Sequence, residues 1–257
     1  MRGKPLICRR VSSSFGIEPR EQIDNGVVRR DHMRQRQRPR LVDRLELRFS
    51  TGRRIDGLWV GVALSFEPEP ILHRVEEALR LIQKYDRLRY NRLIRDLERI
   101  WVRDIPGALG SFDQSFHVCS LDRDFVLAEK SSAELIAATI VHEATHARLD
   151  RCGIGYEEEL RPRVEAACFR REMAFAAKLP NGAQVREQAE QKLGFYNTQD
   201  YWTNAAFAER FDKGHIELIR RLGAPDWLWR TALILRAARL RIRYFVQGVA
   251  RFTRRRW

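Results

Sequence analysis

The spacing of hydrophobic positions changes several times along the chain, and each change marks a new segment. Residues 1–40 carry few periodic apolar positions and close on a basic run from Arg29 to Arg40. A flexible basic leader is expected there. From Leu41 the period is two: Leu45, Leu47 and Phe49 alternate with Arg44, Glu46 and Arg48, and beyond Gly52 the run Leu58 to Phe66 is rich in strand formers. This predicts two strands, adjacent and antiparallel. Between Pro70 and Arg103 the period lengthens, with Ile71, Leu72, Val75, Leu79 and Ile82 at helical spacing amid dense charge. One long amphipathic helix is predicted, broken near Tyr90 and stopped by Ile105-Pro106-Gly107. Phe116, Val118 and Phe125-Val126-Leu127 then flank the turn-like stretch Leu121 to Asp124, which predicts a further short strand or hairpin.

A largely apolar helix should follow. Ser131 and Glu134 read as a capping box, and Ala133, Leu135, Ile136, Ala137, Ala138, Ile140 and Val141 are mostly good helix formers. The helix is expected to start near Ser132 and to end near Cys152-Gly153, where glycine suits a left-handed cap. Beyond Tyr156 the pattern is helical over about 157–179, 183–193, 203–222 and 226–250, with breaks at Pro180-Asn181-Gly182, Gly194 and Gly223-Ala224-Pro225. The chain has no internal repeat. It reads as an α+β fold, a small and mostly antiparallel sheet followed by a predominantly helical C-terminal half, in three parts: 1–40, 41–222 and 223–257.

Candidate chemistry sits in that apolar helix. His142, Glu143 and His146 form H-E-x-x-H, and four residues of helix bring the two imidazoles to one face, close enough to share a metal ion. Glu143 stands beside that face, where a carboxylate can take a proton from water at the metal. A catalytic zinc takes three protein ligands and keeps one position open. The following helix offers Glu157, Glu158, Glu159, Glu165 and Glu172. Glu165 is the candidate third ligand, because it lies within the apolar-flanked segment Val164 to Phe169, where a carboxylate is costly to bury without a cation. Its rival role is as a buried partner for an arginine. The run Glu157 to Glu159 precedes Pro162 and suits a solvent-facing helix start. Tyr156, Tyr196, Tyr201 and His215 are candidate donors to an oxyanion. Asp150 could hold a histidine N–H or cap the helix end with Arg151.

His142-Glu143-x-x-His146 followed by a helix-borne Glu165 resembles the gluzincins, the thermolysin-like class of zinc metallopeptidases. The resemblance covers residues 131–172 and implies a zincin-like core, one catalytic Zn²⁺ held by His142, His146 and Glu165, Glu143 as general base, and a peptide or protein substrate. Strands preceding the motif helix is the order such a core requires. The chain departs from the large secreted members around the glutamate, where Val164 and Phe169 stand in place of their Asn and Asp. Metzincins are excluded, since no Gly and third His follow His146 at their spacing. A substrate peptide in such a site would add to a sheet edge, expected in the strand within 116–127.

Charge adds a second question. With 48 Lys+Arg against 34 Asp+Glu the net charge is +14, which favours polyanionic partners. After Asp226 no acid remains, while arginines from Arg230 to Arg256 alternate with Trp227, Trp229, Leu233, Phe245, Phe252 and Trp257. Such a basic amphipathic helix can pack on the domain, lie on an anionic membrane or bind nucleic acid. The basic run near the N-terminus has no interleaved aromatic residue, so a solvated charge run is expected there. Four cysteines without a C-x-x-C pair argue for a reducing compartment. No signal-like or spanning segment is read, so the expected location is cytoplasmic, with the inner face of a membrane open through residues 226–257. The two functional expectations are a zinc metallohydrolase acting on peptides, and a basic membrane- or nucleic-acid-associated binding protein with an inactive or structural zincin core.

Overall fold

Asp56 and Gly57 make the first tight turn, with φ of 50° and 88°. Two consecutive left-handed residues give the turn that matches the twist of flanking strands, and an Asp-Gly pair adopts it readily. The turn joins β1 (Thr51–Ile55) to β2 (Leu58–Val62) in antiparallel register. The computed structural model describes residues 41–64, 67–195, 199–221, 223–225, 227 and 231. The leader 1–40 and the helix expected over 226–250 lie outside the described residues, apart from Trp227 and Thr231.

The strand expected over Leu45 to Phe49 is instead α1 (Leu41–Arg48), and the hairpin begins after it. Helical spacing brings Asp43 and Glu46 to one guanidinium, that of Arg103, at 2.9 and 3.0 Å. Alternating apolar residues decide for a strand only when a sheet takes up one face, and Leu41, Val42, Leu45 and Phe49 stay exposed.

The single helix expected over 70–103 is three elements. In α2 (Pro68–Tyr85), Ile71, Leu72, Val75, Ala78, Leu79 and Ile82 form one buried stripe. The break comes at Asp86, whose carboxylate accepts the Arg89 N–H and caps α3 (Arg87–Asp96). A helix cap of this kind is local chemistry that apolar periodicity does not register. Residues Arg99–Arg103 form β3, with Ile100, Trp101 and Val102 all buried. A strand buried on both faces loses the alternation that would mark it.

β4 (Gly110–Asp113) and β5 (Val118–Asp122) complete a five-stranded sheet of order β1-β2-β3-β5-β4. The outer pairs are antiparallel, but β2–β3 and β3–β5 are parallel, so the sheet is mixed rather than mostly antiparallel. The helical crossover α2–α3 returns the chain in its original direction, which makes the centre parallel. The hairpin near residue 116 turns at 114–117, and Phe125-Val126-Leu127 belongs to α4 (Arg123–Leu127), capped by Asp122.

The motif helix is α5 (Ala133–Arg151). Its capping residue is Ser132, whose hydroxyl accepts the Leu135 N–H at 3.2 Å, one position after the expected Ser131. Gly153, at φ 79°, ends it as expected. α6 (Arg161–Ala176), α7 (Ala183–Phe195) and α8 (Asn204–Arg221) follow, within a few residues of the expected helices. The architecture is α+β and mostly helical among the described residues. No described helix is long and apolar enough to cross a membrane.

The main core lies on one face of the sheet. Val60, Val62, Ile100, Val102, Cys119 and Leu121 point to it and meet the stripe of α2 and Ile136, Ile140 and Val141 of α5. On the other face Trp101 and Val118 pack with Trp59, Phe116 and Leu47 of α1, and Arg103 stacks over the Trp101 ring at 4.3 Å. Apolar packing therefore anchors one side of α5, and α6 lies against another.

Candidate metal centre

Two helices build the site. On α5, His142 and His146 stand one turn apart with ring centroids separated by 5.1 Å. On α6, Glu165, Cys168, Phe169 and Glu172 follow the i, i+3, i+4, i+7 pattern that lines one helix face. All four are buried. The two oxygens of Glu165 divide between the imidazoles: Oε2 lies 3.3 Å from His142 Nε2 and Oε1 lies 3.4 Å from His146 Nε2.

The surrounding contacts fix these groups. Glu172 Oε2 lies 3.1 Å from His142 Nδ1, an arrangement that protonates Nδ1 and leaves Nε2 facing Glu165. The edge of Phe169 packs on the His142 ring at 4.8 Å. Tyr156 donates its hydroxyl to Glu165 Oε1 at 2.5 Å and stacks edge-on against His146 at 5.5 Å. Cys168 completes a second grouping, in which His142, His146 and Cys168 each present a donor atom within 4.8 Å of the others. The chain thus offers two overlapping donor sets, one closed by a carboxylate and one by a thiol. The carboxylate is the better first choice, since each of its oxygens already faces one imidazole.

Burial and charge polarise the cluster. His142 is pushed down by burial, but hydrogen bonds to Glu165 and Glu172 and the nearby Glu143 charge outweigh this and lift it to about 10. Burial pushes His146 down to about 4, opposed by Glu165 and reinforced by the His142 charge. For Glu165 burial acts upward, yet contacts with His142, His146 and Tyr156 hold it below the ordinary carboxylate range. Burial drives the Cys168 thiol well up, and the charges of Glu165, Glu143 and Glu172 add to this. Carboxylates that favour an imidazolium between them favour a divalent cation in the same place.

Glu143 is buried at 7% exposure on the side of α5 that faces β4. Burial raises it to about 7, with the His142 charge acting downward, and it accepts the Phe112 N–H. Helix and strand approach closely here. A Cβ at Gly110 would come within 2.9 Å of Thr139 Cγ2 and 3.1 Å of Glu143 Oε1. β4 is the sheet edge beside the site, whereas β5, within the 116–127 segment expected to be the edge, is enclosed between β3 and β4. A four-residue strand with one apolar residue gives little pattern to read, and this hid the true edge.

Sequence reasoning located His142, Glu143, His146 and Glu165, and the fold brings all four together. Glu165 meets two histidines and a tyrosine rather than an arginine. Of the oxyanion candidates Tyr156 is at the site. Tyr201 stacks under Arg210 at 3.6 Å, His215 contacts Phe211 on α8, and Tyr196 lies outside the described residues. Asp150 accepts a hydrogen bond from Gln114 in the β4–β5 turn, and Glu172 is the acid that holds a histidine. Sequence reasoning gave no role to Cys168 and treated Glu172 only as one more acid. The spacing Glu165, Cys168, Glu172 was the available signal, since it places two acids and a thiol on one face of a helix, and buried acids need partners.

No protein-family model, no curated protein and no solved structure matches the chain.

Proposed function

We propose that this protein is a zinc-dependent peptidase of the gluzincin type, with a zincin-like core formed by the edge strand β4, the motif helix α5 and the glutamate-bearing helix α6. One observation carries the reading: Glu165, from a separate helix, presents one oxygen to each histidine of H-E-x-x-H. Two imidazoles, with His142 giving up its second ring proton on binding, and a carboxylate would make the donor set of an open zinc site. Zinc bound there would supply a Lewis acid and an acidified water.

The roles of the residues follow from their contacts. Glu172 holds His142 in the tautomer that turns Nε2 toward Glu165, and Tyr156 holds Glu165. Glu143, lifted to about 7 by burial, is matched to taking a proton from water at neutral pH and returning it to a leaving amine. β4, the sheet edge among the described residues, is where an extended peptide would add beside Glu143.

The test is metal content by elemental analysis together with hydrolysis of casein and of a peptide library. The parent chain should carry one zinc and cleave. His146→Ala should lose both metal and cleavage, and Glu143→Gln should keep the metal and lose cleavage. Absence of zinc from the parent, or full zinc in His146→Ala, overturns the reading.

A further inference from the structure

The three-ligand reading leaves Cys168 without a role, although its thiol is buried among the ligands. Cys168 lies one turn after Glu165 on α6 and is fully enclosed, at 0% exposure. Its sulfur stands within 4.8 Å of a ring nitrogen of both His142 and His146. Tetrahedral zinc, with Zn–S of about 2.3 Å and Zn–N of about 2.0–2.1 Å, separates such donors by roughly 3.6 Å. The sulfur therefore has at most about 1 Å to travel toward each imidazole nitrogen. The other two described cysteines have no such surroundings: Cys119 is in the sheet core and Cys152 is exposed at the end of α5.

Building on the metal-site reading above, we propose that Cys168 is a fourth protein donor to the metal held by His142, His146 and Glu165. The metal would then have four protein donors, one of them a thiolate, and water would reach it only in place of one of these. When the metal binds, the S–H bond breaks, its proton leaves to solvent, and a sulfur–metal bond forms without change of oxidation state. A softer donor set of this kind favours zinc over magnesium, calcium or manganese.

Cobalt substitution tests this without relying on catalysis. Co²⁺ bound through a thiolate absorbs intensely in the near ultraviolet by sulfur-to-metal charge transfer, and Co²⁺ bound through nitrogen and oxygen alone does not. The full-length chain titrated with Co²⁺ alone should develop this band, saturating at one metal per chain. Cys119→Ser and Cys152→Ser should retain it. Cys168→Ser should lose it while still binding one Co²⁺ through the remaining three ligands, with affinity lowered tenfold or more. Cys168→Ala is the second variant should serine prevent folding, with circular dichroism as the check on fold. One equivalent of Co²⁺ bound by the parent with no charge-transfer band overturns the proposal and leaves the three-ligand reading intact. A band that survives in Cys168→Ser or Cys168→Ala also overturns it. Failure of the parent to bind either Co²⁺ or Zn²⁺ removes both.

Discussion

Buried carboxylates occur in two kinds of place in this protein, and their partners differ. Asp96, at 1% exposure, is met by Arg95 at 2.9 Å and by Arg148 and Arg151 at 3.6 Å. Asp86, also buried, pairs with Arg89 at 2.8 Å and Lys178 at 2.9 Å. Glu143, Glu165 and Glu172 are buried to a similar extent, yet among the described residues no arginine or lysine forms an ion pair with any of them. Their counter-groups are two imidazoles. In a chain of 48 Lys+Arg, cations are abundant, so their exclusion from this cluster is a property of the site. A fixed guanidinium would occupy the place of a metal ion, whereas a neutral imidazole is itself a ligand. The acids near arginines hold helices together, and the acids near histidines hold side chains that can themselves bind a cation.

The comparison breaks first at Glu143. If it is a proton carrier, Glu143→Gln should lower turnover of a cleaved peptide by about 10²–10⁴-fold with zinc retained. Because burial opposes ionisation of this carboxyl more than its surroundings favour it, the metal-free amide variant should unfold near the parent's temperature. A variant as active as the parent would assign Glu143 to the structural acids.

Glu172 gives the next largest effect. Glu172→Gln keeps the shape but weakens the hold on His142 Nδ1, and zinc affinity measured by competition with a chromophoric chelator should fall about 10–100-fold. Unchanged affinity would mean that this contact only packs α6 against α5.

Asp96→Asn and Asp86→Asn should behave oppositely to Glu143→Gln, destabilising by about 1–3 kcal/mol in denaturant titration while leaving zinc content untouched. Asp86 also carries a pH signature. Burial acts upward on its carboxyl, but hydrogen bonds from Lys178 and Arg89 outweigh this and hold it below its ordinary value of 3.8. Its stabilisation is therefore complete above that value and is lost as pH falls through the lower folded-state value. Thermal midpoints of the parent and Asp86→Asn should converge below about pH 4 and separate above it. Equal separation at acid and neutral pH would remove the charge from the account of Asp86.

The smallest effect concerns the helix that carries the motif. Ser132→Ala removes the acceptor for the Leu135 N–H and should cost about 1 kcal/mol, with catalysis unchanged in the folded protein.

The sequence alone determined what depends on near neighbours. His142 and His146 face the same way because a helix turns once in 3.6 residues, Gly153 ends that helix because it accepts a left-handed φ, and both were readable from spacing and residue type. Glu165 was readable from the cost of burying a carboxylate among apolar neighbours. Tertiary structure decided what depends on distant partners. Leu45 and Leu47 lie on a helix because no sheet takes up the alternating face they share with Phe49, and that helix meets the distant Arg103 through Asp43 and Glu46. The strand at Arg99–Arg103 was hidden because burial on both faces erases alternation, and its parallel pairing with β2 came from the helical crossover between them. The pairing of Glu172 with His142 Nδ1, the closeness of Gly110 to Glu143 and the enclosure of Cys168 exist only once α6 and β4 have docked on α5. A local pattern specifies which way a side chain points along its own element. Only packing specifies what it meets.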